Sequence, residues 1–244
     1  MHRGTWANGG GAVSLTVVGV VESPFPSKFA VPRQSGFSER VTSFIRIEPD
    51  WRDALHGLDG ISHLWVLFQF HQIGSARAAT RARPPRLGGN RRLGVFATRA
   101  THRPNGIGLS VVRIASLEPA GVHVCGLDAV DGTPVLDLKP YLPWADAPAG
   151  AHNAVSPAPP DTRRVRFVDD ALDRLHRLDP VAAAGRRALL EDVLRFEARP
   201  AYQRQAERVY ATEIAGLRVR WRYPEAGVVE VVAIEDADPR TASV

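Results

Sequence analysis

Six short segments before Pro140 favour extended backbone, and nothing between them has the length or period of a helix that would cross over a parallel sheet. They are Leu15–Val21, Val41–Ile47, Leu64–Phe70, Val111–Leu117, Val122–Leu127 and Val135–Leu138. Each is rich in β-branched or aromatic side chains, which fit a pleated, partly buried surface. Turn formers separate them: Glu118-Pro-Ala-Gly121 and Asp131-Gly-Thr-Pro134 both read as hairpin turns. One short helix is expected over Trp51–Leu58, with Asp50 as its cap and Gly57 and Gly60 near its end. Many short strands without alternating long helices argue for a mainly β fold, a barrel over residues 14–146, and against a doubly wound sheet.

The pattern changes after Ala147. Residues 147–162 are rich in Pro, Ala and Ser and read as a linker. Beyond them, Val165–Leu178 and Gly185–Glu197 carry apolar residues at helical spacing. Arg208–Ile214, Leu217–Tyr223 and Val228–Ile234 alternate as strands, so residues 163–236 should form a small α+β domain. Residues 1–13 are polar and Gly-rich and are expected to be disordered. No run approaches the ~20 apolar residues of a membrane span. The start has no apolar core of signal-peptide length, and cytoplasm is the expected compartment. The single Cys125 excludes an internal disulfide and a cysteine-rich zinc site. His63 and His71 are held too far apart by the strand between them to share a metal, so none is expected.

Charge narrows the function. Between Gly60 and Leu117 lie nine arginines and no carboxylate. The whole chain is +5, so the remainder sums to −4 and the basicity is local. A guanidinium offers paired planar donors to phosphate or carboxylate, so this window suits an anionic partner. The plain alternative is compositional habit, since only Lys28 and Lys139 among the 31 basic residues are lysines. Turns at Gly88-Gly89-Asn90 and Arg103-Pro-Asn-Gly106 would hold Arg91, Arg92, Arg99 and Arg103 in place. Three further clusters stand out: a shaped loop with Pro32, Arg33, Gln34 and Gly36, a buried strand ending in His71-Gln72, and an acidic stretch with Asp128, Asp131 and Asp137 beside Lys139. Polar groups at the end of a buried strand often line a site. Neither a Rossmann fingerprint nor a Walker motif is present.

These clusters occur together, in order, in one known family. The runs KFAVPRQSGF, HGLDGISHLWVLFQFHQ, RPPRLGGNRRLGVFATRATHRPNGIGLS and LDAVDGTPVLDLKPYLPWAD resemble the tRNA methyltransferase O (TsaA-like) family over Leu15–Asp146. The likeness continues more weakly through Arg199-Pro-Ala-Tyr202 and Leu217–Arg222. The resemblance implies a single-sheet β-barrel that binds S-adenosylmethionine without a Rossmann fold. It implies methylation of N6 in tRNA carrying N6-threonylcarbamoyladenosine beside the anticodon, and a homodimer. Carried over residue by residue, it implies cofactor contacts at Pro32, Arg33, Gln34, His71, Gln72, Arg99, Leu109, Leu127 and Asp128. It suits Arg91, Arg92, Arg103, Asn105 and Lys139 to the tRNA and Asp131 to the role of base. Two positions depart from the family pattern: Gly106 replaces a proline and Ala100 a serine.

The assignments follow the chemistry that such a reaction needs. A sulfonium cofactor brings a cation, an adenine and an amino-acid tail; Asp128 suits a cationic part and Arg33 or Arg99 the carboxylate. The acceptor nitrogen, part of a urea-like group, needs proton removal, by Asp131 or water. Two other classes stay open: a non-catalytic RNA-binding barrel, and a related methyltransferase with a small-molecule acceptor. All the matching motifs precede Pro148, so cofactor binding is expected from the barrel half alone.

Overall fold

The computed structural model describes residues 3–7, 12–29, 31–73, 79–84, 91–196 and 208–237. Six strands close an antiparallel barrel: β3 (Gly19–Glu22), β4 (Thr42–Ile47), β5 (His63–Gln69), β8 (Ile107–Glu118), β9 (Gly121–Cys125) and β10 (Pro134–Pro140), in the spatial order β10-β3-β4-β9-β8-β5. Two two-stranded ladders accompany it, β1 (Arg3–Ala7) with β2 (Ala12–Thr16), and β6 (Arg81–Ala82) with β7 (Leu93–Gly94). The period-2 alternation of β5 explains the closure: Leu64, Val66 and Phe68 point inward, while His63, Trp65, Leu67 and Gln69 face out. They meet Val21, Ile45, Val112, Val122, Val124, Leu127 and Val135 in one core. Gly108 in β8 admits the Phe68 ring, which a Cβ at that position would strike.

Several elements differ from the sequence expectation. Within the stretch expected to be disordered, residues 3–7 and 12–13 instead join a ladder that runs from Arg3↔Thr16 to Ala7↔Ala12 and pairs their backbone groups. In place of a helix over Trp51–Leu58 there are two 3-10 turns, Pro49–Leu55 and Leu58–Gly60, broken by Gly57 at φ 87°. The expected turn at Gly88–Asn90 and the run Arg199–Tyr202 lie outside the described residues.

The C-terminal half is a four-stranded sheet with helices packed on it. Its strands are β11 (Arg164–Phe167), β12 (Tyr210–Ile214), β13 (Leu217–Arg222) and β14 (Val228–Asp236), ordered β11-β14-β13-β12. Its helices are α2 (Asp169–Leu178) and α3 (Ala183–Leu194), after a short α1 (Pro143–Asp146). The expected helix from Val165 begins only at Asp169. The alternating Arg-Val-Arg-Phe before it pairs parallel to β14, so period 2 wins over the helical spacing. Opposite the helices, Arg166 and Arg222 grip the buried Glu230 at 2.8 and 2.6 Å. The core under the helices is not purely C-terminal: it includes Phe25 and Val41, both 0% exposed, from the connection between β3 and β4.

Candidate active site

Four connections emerge at one rim of the barrel: 23–41 after β3, 70–73 after β5, 94–106 before β8 and 126–133 after β9. Backbone bonds stitch them together. Gly36 N donates to Gly126 O at 3.0 Å, Gly126 N to Val41 O at 2.9 Å, Asp131 N to Phe25 O at 2.8 Å and Phe70 N to Gly106 O at 2.7 Å. Gly126 sits at φ 82° against the Gly36 backbone, and a Cβ there would press on Gly36 N at 3.2 Å. That close approach and the positive φ explain the glycine at 126, while Gly36 meets nothing in the place of a Cβ and owes its glycine to φ 77°.

Asp128 is the centre of the assembly. Burial pushes its carboxyl above the usual range. The Ser110 hydroxyl, the backbone amides of Asp128 and Ser35, and the Arg99 charge pull the other way. Ser110 donates to Asp128 Oδ1 from the inner face of β8, where it is 2% exposed. Arg99 reaches across to the 23–41 connection and donates to Gln34 Oε1 at 2.7 Å, while Gln34 Nε2 donates to Arg33 O. One carboxylate beside a guanidinium at a solvent-facing rim can take a cation on Asp128 and an anion on Arg99. That donor set fits a ligand carrying both an ammonium or sulfonium and a carboxylate.

His71 and Asp131 form a second pair on the same rim. Burial lowers the His71 pKa, and the Asp131 charge opposes it. His71 Nδ1 lies 3.4 Å from Thr133 Oγ1. Asp131 Oδ1 accepts from Ser23 N at 2.9 Å, so part of its work is to cap the turn entering the 23–41 connection.

The structure brings Arg33, Gln34, Arg99 and Asp128 together, with Pro32, His71, Gln72 and Asp131 on the same rim. Leu127 is fully buried in the barrel core, away from the open rim. Leu109 adjoins Ser110 but points to the outer wall, half exposed opposite Leu67. Arg103 turns back on its own loop, donating from Nη1 to the carbonyls of Thr98 and Ala100 at 3.4 Å each. Arg91, Arg92 and Asn105 are exposed. Lys139 is elsewhere: it pairs with Asp137 at 2.9 Å, opposite Trp65 near the far end of β5. Two residues escape sequence reasoning. Ser110 lay within a quoted motif, but only its inward register reveals the bond to Asp128. Phe96 is 82% exposed in the turn that delivers Arg99, an unusual position for a large apolar ring.

Among the described residues, no group of three or more His, Cys, Asp or Glu is placed to hold a metal, and no helix is long and apolar enough to cross a membrane.

Comparison with known proteins places this architecture. Residues 20–147 match the tRNA-methyltransferase O N-terminal domain, and residues 160–237 the TrmO C-terminal domain. A putative S-adenosylmethionine-dependent methyltransferase from Pseudomonas aeruginosa is 43% identical, covering 92% of this chain and 99% of that protein. The tRNA (adenine(37)-N6)-methyltransferase of Escherichia coli K12 is 40% identical, over 89% of this chain and 96% of its own. A crystal structure of TrmO from Pseudomonas aeruginosa superposes with a TM-score of 0.77 at 36% identity, covering 91% of this chain and 98% of that one. With both domains matched and the barrel closed in the same way, the chain belongs to the tRNA methyltransferase O family.

Proposed function

We propose that this protein methylates N6 of adenine in tRNA with S-adenosylmethionine as donor, and that its substrate is threonylcarbamoyladenosine beside the anticodon. The observation that carries the reading is the Asp128 carboxylate set beside Arg99, whose guanidinium is held by Gln34 from the 23–41 connection. When bound, the cofactor supplies an electrophilic methyl on a sulfonium, transferred in line to the acceptor nitrogen. The chain's residues bind, orient and exclude water, which is the larger share of the work in such a transfer.

In this assignment Asp128 takes a cationic part of the cofactor, and Arg99 and Arg33 take its carboxylate. Asp131, with the neutral imidazole of His71 beside it, accepts the proton that N6 gives up. The exposed Arg91 and Arg92 meet the threonyl carboxylate and loop phosphates, and Phe96 offers its ring to an unstacked base. Arg103 holds the loop that presents Arg99. A second copy of the chain covers the outer barrel wall around Leu109 and the 83% exposed Trp144, which sedimentation at two concentrations checks.

The test is methyl incorporation from labelled S-adenosylmethionine into matched tRNAs with and without the threonylcarbamoyl group, followed by nucleoside mass analysis. Labelling confined to the modified tRNA is expected, because the threonyl carboxylate supplies charged hydrogen bonds to Arg91 and Arg92 that unmodified adenosine lacks. Equal labelling of both tRNAs removes the proposed role of Arg91 and Arg92. Labelling of neither, with cofactor binding intact, points to a small-molecule acceptor.

A further inference from the structure

The connection between β3 and β4 has two sides. Its inner side carries the site: Ser35 offers its amide to Asp128, Gln34 accepts from Arg99, and Gly36 bonds Gly126. Its outer side belongs to the C-terminal domain. Phe25 and Val41, near its two ends, are buried in the core under α2 and α3. Pro24 O accepts from Ala215 N at 2.8 Å.

Between those ends, α3 grips the strap just after the site residues. Ser38 Oγ donates to the Asp192 carbonyl at 3.2 Å, and Arg40 Nη1 reaches the Asp192 carboxylate at 3.0 Å. Arg195 binds both partners, with Nη1 3.6 Å from Asp192 Oδ1 and Nη2 donating to Phe37 O at 3.1 Å. The Phe37 and Phe196 rings stack with centroids 4.5 Å apart.

Asp192 is 5% exposed. A carboxylate this deep is costly unless paired, and its partners here are the strap and the arginine that holds the strap. The side chains around it in the core under the helices are mostly apolar or aromatic, with Ser38 and Thr212 the uncharged polar exceptions. A buried charge set among them fixes one geometry where apolar contacts alone would tolerate several.

We infer that Asp192 is a positioning residue for the cofactor: through Ser38, Arg40 and Arg195 it holds the strap so that Arg33, Gln34 and Ser35 arrive at Asp128 in binding geometry. The cofactor site is therefore not complete in the barrel half, contrary to the expectation from motif positions. This inference rests on the proposed S-adenosylmethionine reading, and its test separates the two.

The full-length Asp192→Asn variant keeps the shape and removes the charge. Hydrogen exchange of the strap amides 33–38, measured without cofactor, should quicken at least tenfold. Titration calorimetry should show S-adenosylmethionine binding weakened tenfold or more, while kcat at saturating cofactor stays within threefold. Arg40→Met, which changes only the exposed partner of the pair, should reproduce the effect in weaker form and without loss of fold. Glu230→Gln is the comparator, since it breaks a different buried carboxylate–arginine cluster on the far face of the sheet. Strap exchange and cofactor affinity unchanged in Asp192→Asn, or loosened equally in Glu230→Gln, overturns the inference. A wild-type chain that binds no S-adenosylmethionine overturns the functional reading instead, and the exchange comparison still decides whether Asp192 holds the strap.

Discussion

Replacing Asp128 with Asn should move stability and binding in opposite directions. The amide keeps the carboxylate's shape and can still accept from Ser110, but it carries no charge. In the cofactor-free protein that charge is a burden, because burial raises the Asp128 pKa in spite of Ser110 and Arg99. The raised value means that the folded chain holds a proton where the unfolded chain, with a carboxyl near ~3.9, has released it. Wild-type stability therefore falls as pH rises through that window, and above it the penalty is complete. Asp128→Asn should melt higher than wild type, with a gap that opens as pH climbs from about 4. Binding goes the other way. A charged hydrogen bond to a cationic ligand contributes about 1.5–3 kcal/mol, so its loss should weaken S-adenosylmethionine binding roughly 10- to 150-fold. Cofactor binding by wild type should release a proton inside the same window and tighten as pH rises through it. Thermal melting from pH 4 to 8, with calorimetry in buffers of different ionisation enthalpy, measures both. A variant that melts lower while binding the cofactor normally would refute the reasoning and make Asp128 a structural ion-pair partner.

Arg99→Ala should lower kcat/KM roughly 10- to 150-fold, the loss of about 1.5–3 kcal/mol of charged hydrogen bonding, in steady-state assays. Its side chain is exposed, so melting should change little, and normal turnover with a lowered Tm would assign it a structural role. Gly106→Pro, which restores the family's usual residue, should destabilise this chain. Gly106 sits at φ 59° and its amide donates to Arg103 O at 3.1 Å, both out of reach for proline. A cost of about 3 kcal/mol predicts a Tm lowered by roughly 6–12 °C, and an unchanged melt would show that the turn can adopt the proline form.

The barrel was legible because its signal is local. Leu64, Val66 and Phe68 alternate with polar or outward residues, and the same rule sorts β4 and the first half of β8. The arginine window and the glycine-bounded loops also announced a site, since turn chemistry is written in single residues. What could not be read depends on which face or partner a residue meets. Lys139 looked like part of the site because it is near Asp131 in sequence. A register shift between Val135 and Asp137 instead turns Asp137 and Lys139 to the outer wall, with Lys139 ~13 Å past Val135. Arg103 resembles its neighbours in sequence, yet the loop bends its guanidinium onto carbonyls that no pattern identifies. β11 was merged with the following helix because Val165 falls two helical turns before Leu172, so that both periods fit four residues. Phe25 and Val41 were legible as apolar, but not as members of a core assembled far along the chain.

That distant core has a consequence for synthesis. Phe25 and Val41 leave the ribosome early, but the strands and helices that bury them, from Ala171 to Ile234, follow more than a hundred residues later. At about 5–20 residues per second, roughly ten to forty seconds pass between the first partner and the last. During that interval the six barrel strands can already close, while the strap is tied only to the 126–133 connection and lacks its anchors on α3. The part of the protein read here as grasping its ligand is thus the last to take shape, and a nascent chain stalled after β10 would present Phe25, Val41 and the arginine-rich rim together, an apolar and basic surface for which chaperones and loose RNA compete.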